Sequence, residues 1–301
     1  GPPGSLIPVD RLRSALSVIG ATLTGTGVLI LLFVAYQLWG TGLYEAQAQD
    51  DLRAQFDAKL AAPTTTTTTG PDPVTAPPPA PTGEAVALIR IPKIGLDRHV
   101  VEGTGLADLR KAPGHYPSTP LPGVVGNAAI AGHRTTYGAP FNRLDELEPG
   151  DEILVTTVAG SYTFEVEEKR VVNPSQVEVL APSPVAKLTL TTCHPKYSAK
   201  QRLVVISTLA EGQQAAPAPP PSDEPPEAEA PDALADAGLG SGRSKVPTVL
   251  WGLSTTAVGV AWWFAVRRRR HWTTYLAGVL PFLAVLFVFY ANLEQLLPAN
   301  F

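Results

Sequence analysis

Of 301 residues only one is a cysteine, so any thiol chemistry in this chain rests on Cys193. It closes the run Lys187-Leu-Thr-Leu-Thr-Thr192, whose alternation predicts a strand, and the following His194-Pro195 stops that strand. A side chain at a strand end can face a cleft, although a lone cysteine can equally serve as a small buried hydrophobe. Acyl transfer through sulfur needs a thiolate, and therefore a base or a positive neighbour that lowers the thiol pKa. The histidines are His99, His115, His133, His194 and His271. His194 adjoins Cys193, but consecutive strand side chains point to opposite faces, which makes it a poor partner. His133 ends the buried-looking run Asn127–Gly132 and enters a turn with Arg134-Thr135-Thr136. Arg202 opens the run Leu203–Ile206, on what should be the strand next to Cys193. Alone, His133 would be structural and Arg202 a solvated edge charge. Beside Cys193, the guanidinium could bind a substrate backbone or the oxyanion of a tetrahedral intermediate.

The elements that must position these residues are mostly strands. Val86–Ile91, Asp151–Val158, Tyr162–Val172, Lys187–Thr192 and Arg202–Thr208 alternate with β-branched residues throughout, and Asn127–Gly132 suits a buried strand. Gly95, Pro122-Gly123, Pro149-Gly150-Asp151, Ala159-Gly160, Pro182 and Pro184 punctuate them. Ala139–Leu147 alone reads as helical, with Pro140 in its first turn. Several short, closely spaced strands predict a mainly β barrel or sandwich.

Around this domain the composition changes. The chain has 31 prolines and 26 glycines, against about 15 and 21 at average usage, and the excess lies in stretches that do not pack. Pro63–Thr82, with the threonine run Thr64–Thr69, and Gln213–Ala237 read as extended linkers. Leu16–Trp39 is uncharged and long enough to span a hydrocarbon core of roughly 30 Å. Ala46-Gln47-Ala48 resembles a signal-peptidase site, but the apolar stretch is too long for a signal-peptide core, which favours an uncleaved anchor. Arg11 and Arg13 before it, and Arg267–Arg270 between two further apolar stretches, place both basic flanks in the cytoplasm. With no methionine in the chain, Gly1-Pro2 is expected to be a processing or tag remnant.

The expected order is therefore a cytoplasmic N-terminus (1–15), a transmembrane signal anchor (16–39), and an extracellular Thr/Pro-rich linker (40–83). A globular catalytic domain (84–210) and a Pro/Ala/acidic linker (211–245) follow. A transmembrane helix (246–266), a cytoplasmic basic loop (267–271), a second helix (272–293) and an extracellular tail (294–301) complete it. The formal charge of −4 and a pI near 5.8 argue against nucleic acid as a partner, since no broad basic surface is available. One cysteine excludes an intrachain disulfide framework and a Cys-rich zinc site. Glu167-Glu168 and Asp145/Glu146/Glu148 lack the spacing of an oxygen-ligand loop, so neither metal nor cofactor is expected.

The segments Thr189-Leu-Thr-Thr-Cys193, Asn127-Ala-Ala-Ile-Ala-Gly-His-Arg134 and Arg202-Leu-Val-Val205 resemble, in order and context, the sortase family of membrane-anchored cysteine transpeptidases. The wording Gly114-His-Tyr-Pro117, Gly132-His-Arg-Thr-Thr-Tyr-Gly138 and Thr192-Cys-His-Pro195 is most similar to the actinobacterial class E group. The resemblance implies an eight-stranded sortase-type β-barrel with short helices, on a membrane anchor with two further C-terminal transmembrane helices.

It also implies an extracellular domain in which Cys193 attacks the Thr–Gly bond of an LAXTG- or LPXTG-type sorting signal. His133 would serve as acid and base and Arg202 as oxyanion holder, and a peptidoglycan-precursor amine would take up the acyl group. Tyr116, Thr191 and Thr192 are the implied substrate-binding residues. Tyr116 would favour alanine over proline in the signal, or be an ordinary turn tyrosine before Pro117. The two extra spans are more typical of pilin-polymerising sortases, which leaves subunit joining open beside wall anchoring. A cell-wall cysteine peptidase would place its cysteine before its histidine, the reverse of the order here. A non-catalytic wall-binding domain would leave Cys193 without selective reactivity.

Overall fold

The computed structural model describes residues 9–62, 80–217, 246–268 and 272–294. The threonine run, most of the acidic linker, the end of the arginine block and the C-terminal tail lie outside the described residues. In chain order the helices are α1 (Val9–Ala35), α2 (Thr41–Ala61), α3 (Leu106–Leu109), α4 (Val246–Arg268) and α5 (Trp272–Glu294). The strands are β1 (Ala85–Ile91), β2 (Leu96–Glu102), β3 (Gly114–His115), β4 (Gly126–Ala131), β5 (Glu152–Thr157), β6 (Gly160–Val172), β7 (Ala186–His194) and β8 (Gln201–Leu209). The chain divides into two units, Gly1–Gly40 with Thr248–Asn292, and Thr41–Pro247 with Leu293–Phe301.

In the first unit Leu16, Leu23, Leu31, Leu253, Phe264 and Leu280 are exposed, the inverse of a soluble helix bundle. Among the described residues three helical segments are long and apolar enough to cross a membrane. The end of α1 packs on α5: Phe33 meets Tyr290 edge-on at 5.1 Å, and the Tyr290 hydroxyl donates to the Leu29 carbonyl at 2.6 Å. Pro281 lies inside α5 without ending it.

The second unit holds a closed barrel of order β1-β2-β3-β4-β7-β8-β6-β5, as the resemblance implied. Ile89, Ile91, Ile130, Ile153, Val155, Phe164, Leu188, Leu190 and Val205 point into one continuous core. Alternation is clean in β5, whose outer face meets solvent. It vanishes in β4, where every residue is buried. There the barrel face is backed by a second apolar layer, in which Tyr116, Ala129 and Ala131 pack with Leu109 and Leu180.

Two expectations need correction. The stretch 40–83 is not linker throughout, since Thr41–Ala61 is helix α2 and buries Thr41, Glu45, Leu52 and Phe56. Leu52 and Phe56 cluster with Ala85, Val101 and Ala112 on the barrel's outer side. The Gln49 side-chain amide adds two bonds to the backbone of β2, donating to His99 O at 3.1 Å and accepting from His99 N at 2.8 Å. Second, Ala139–Leu147 is not an α-helix; it is a chain of turns with one 3-10 turn at Leu144–Glu146. Helix α1 itself begins at Val9, before the apolar stretch.

Candidate active site

The parallel pair β4–β7 and the antiparallel pair β7–β8 build the site. On β4–β7 the register runs from Gly126↔Ala186 to Ala131↔Thr191. One step further, Gly132 N donates to Thr191 O at 3.1 Å, and Thr192 Oγ1 donates to Gly132 O at 2.7 Å. His133 therefore leaves its strand beside Cys193. Gly132 cannot be replaced cheaply, because a Cβ there would lie 2.6 Å from the buried ring of Phe141. On β7–β8 Cys193 stands directly opposite Arg202, which puts both side chains on one face with Cβ atoms about 5 Å apart. Cys193 is half-buried. Arg202 is 6% exposed and donates through Nη1 to Ala199 O at 2.9 Å and Gln201 O at 3.2 Å.

The His133 ring lies against Tyr137 at 5.2 Å. Its Nε2 is closed off from solvent and has no hydrogen-bond partner among the described residues. Burial, with the Arg110 charge adding to it, brings its pKa down to about 4. The free protein thus favours a neutral imidazole at physiological pH.

The first turns of α2 cover the loop that carries His133. Tyr137 N donates to Thr41 Oγ1 at 3.1 Å, and Tyr44 meets the Tyr137 ring edge-on at 6.3 Å. Gly138 has φ +70, and a Cβ there would lie 2.4 Å from Glu45 Oε2. Glu45 is buried and paired with Arg98 at 2.8 Å. Burial raises its pKa, and Arg98 partly offsets the rise. Sequence reasoning missed this cover because α2 is polar on most of its surface.

Arg134 was quoted in the motif but given no role. It is 4% exposed and donates to Cys193 O at 3.2 Å and His194 Nδ1 at 3.0 Å, while Nη2 pairs with Asp145 at 3.0 Å. It thereby ties the His133 loop to the end of β7. The His194 Nδ1 is the nitrogen that meets this arginine. His99 lies on β2 against Phe56, at a ring distance of 5.7 Å, and His271 is outside the described residues.

Tyr116 is 3% exposed, and its hydroxyl shares a 3.2 Å hydrogen bond with Thr191 Oγ1. Burial raises its pKa; the Thr191 bond and the Arg202 charge oppose this, and Cys193 adds to it, so the phenol sits in the field of the same cluster. The Thr192 hydroxyl is committed to Gly132, which makes Thr192 a tie between the two site strands. Asn127 donates to Val179 O at 3.0 Å and Ala181 O at 3.1 Å. That holds Leu180 beside Tyr116 as an apolar wall. No cluster of three or more His, Cys, Asp or Glu side chains suited to a metal occurs among the described residues. The arrangement offers a nucleophilic sulfur, a proton carrier and a fixed cation around one strand end, which is the equipment of acyl transfer.

A family model described as "Sortase domain" matches residues 89–210. The chain is 33% identical over 225 residues to sortase SrtE1 of Streptomyces coelicolor, covering 69% of this chain and 59% of that protein. It is 35% identical over 115 residues to sortase D of Bacillus subtilis, covering 38% and 57%. The chain thus spans under two thirds of the length of these curated relatives. Among solved structures, sortase E from Streptomyces avermitilis is 37% identical, with 44% of this chain and 91% of that one covered and a TM-score of 0.40.

Proposed function

The chain belongs to the sortase family, and from that premise we propose that it is a membrane-anchored cysteine transpeptidase acting on LAXTG- or LPXTG-type sorting signals. The observation that carries this reading is the direct cross-strand pairing of Cys193 with Arg202. Cys193 Sγ attacks the Thr carbonyl carbon of the signal, and its proton passes to neutral His133. Arg202 donates hydrogen bonds to the developing oxyanion. As the intermediate collapses the C–N bond breaks, His133 gives its proton to the leaving glycine amine, and a thioester remains on Cys193. An incoming amine, in the cell that of a peptidoglycan precursor, loses a proton to His133 and attacks the thioester. An amide forms and the thiol is restored.

Tyr116, Thr191 and Leu180 line the wall that receives the signal's side chains. The long apolar helices support membrane anchoring, and the basic flanks at Arg11, Arg13 and Arg267–Arg270 support an extracellular domain. The test is a peptide containing LAXTG incubated with the full chain, with and without a small primary amine. The expected result is a ligated peptide that forms only with amine present and disappears in Cys193→Ala. Cleavage surviving in that variant, or no amine-dependent product, would overturn the reading.

A further inference from the structure

The mechanism leaves one buried titratable pair unused. His115, at the end of β3, and Glu102, at the end of β2, sit side by side in the β2–β3 register. Nδ1 of His115 lies 2.9 Å from Glu102 Oε2, and the two side chains are only 3% and 7% exposed. The other ring nitrogen, Nε2, lies 3.0 Å from the Pro120 carbonyl and 3.2 Å from Thr119 Oγ1. A carbonyl only accepts, so the Pro120 contact is a hydrogen bond in the form of the ring that carries a proton on Nε2. Thr119 completes the knot. Its hydroxyl donates to Tyr116 O at 2.8 Å and accepts from Ala129 N at 3.1 Å.

All these bonds converge on the four-residue turn that begins at Tyr116, whose N donates to Ala129 O at 3.0 Å and whose O accepts from Thr119 N at 2.9 Å. A buried polar group that loses its partner is costly, so a cluster satisfied at this many points holds one geometry. We propose that His115, oriented by Glu102, is a positioning residue for substrate: its Nε2–H grips the Pro120 carbonyl and fixes the Tyr116 turn as the wall that selects the sorting-signal side chain. This rests on the reading of Tyr116 as a substrate contact. The turn touches Thr191, two places before Cys193, and none of the bonds named reaches Cys193, His133 or Arg202. Loosening the turn therefore weakens binding and selection while leaving the acyl step intact.

The experiment uses the full chain with fluorogenic LAXTG and LPXTG peptides in three backgrounds: Glu102→Gln, Glu102→Gln/His115→Gln and Glu102→Gln/His115→Asn. Glu102→Gln removes the charge that a neutral position 115 would orphan. A glutamine amide reaches the place of Nε2 and keeps the Pro120 bond, whereas an asparagine reaches only the place of Nδ1. The glutamine variants should keep KM within about twofold of wild type, while the asparagine variant raises KM about tenfold with kcat within about twofold and loses peptide preference. The reverse order, equal effects in both double variants, or a fall in kcat matching the rise in KM would overturn the proposal. If a double variant fails to fold, as read by its melting transition, the single His115→Gln and His115→Asn variants carry the same comparison. Tyr116→Ala is run alongside. If it leaves KM unchanged, the underlying reading of Tyr116 has failed; if it raises KM and the asparagine variant does not, only the His115 inference has failed.

Discussion

At the scale of single residues, the site depends on where His133 holds its proton. Its pKa is lowered to about 4 from an ordinary 6.5, by burial first and by the Arg110 charge second. Between those two values the unfolded chain binds more protons than the folded one, so stability rises with pH across that window and the contribution is lost as pH falls toward 4. In urea titrations at pH 7 and pH 4, wild type should lose on the order of 3 kcal/mol more than His133→Gln does. In the free enzyme the acid limb of kcat/KM should fall near pH 4, since that profile reports the free base. A limb near 6.5, or equal stability losses in the two proteins, would show that the imidazole is not held neutral. The proposed nucleophile could be named from sequence because a lone cysteine at a strand end left little choice. The further lowering of the His133 pKa was not legible, because it comes from burial, to which the Tyr137 ring contributes, and from the Arg110 charge, which only folding brings to the ring.

At the scale of elements, α2 connects packing to chemistry. Phe56 is 1% exposed, and removing its ring should cost about 3–5 kcal/mol of docking energy. Because Thr41, Tyr44 and Glu45 on the same helix cover the Tyr137–Gly138 turn, Phe56→Ala should admit water to His133 and move the acid limb of kcat/KM upward from 4. A destabilised protein with an unmoved limb would mean that α2 packs without positioning. Strands β4 to β8 were visible in sequence as alternating or continuous apolar runs. β2 was not, because Val100 points into the barrel core while Val101 lies under α2, and burial on both faces erases alternation. In the segment read as a helix, Phe141, Leu144 and Leu147 recur every third residue and are all buried. That spacing suits a 3-10 turn better than an α-helix. Tyr137 and Ala139 at φ +50 and +44 also bend the chain just before it. α2 itself was hidden because only Leu52 and Phe56 are large and apolar on its buried face.

At the scale of the whole molecule, apolar helices precede and follow one barrel domain in the sequence, and on the proposed membrane-anchored reading substrates carried on the same membrane would meet the site at raised effective concentration. On the proposed reading such an enzyme can work with weak intrinsic affinity, and specificity would fall to the wall of Tyr116, Thr191 and Leu180 and to the turn behind it. The account as a whole stands on a covalent step at one atom. The most direct test is the intact mass of the full chain after brief exposure to an LAXTG peptide without added amine. A single acyl adduct, equal in mass to the peptide portion ending at threonine and mapped to Cys193, is predicted. It should be released by a primary amine, be absent in Cys193→Ala, and form far more slowly in Arg202→Ala. Turnover without any adduct, or an adduct at another residue, would contradict it.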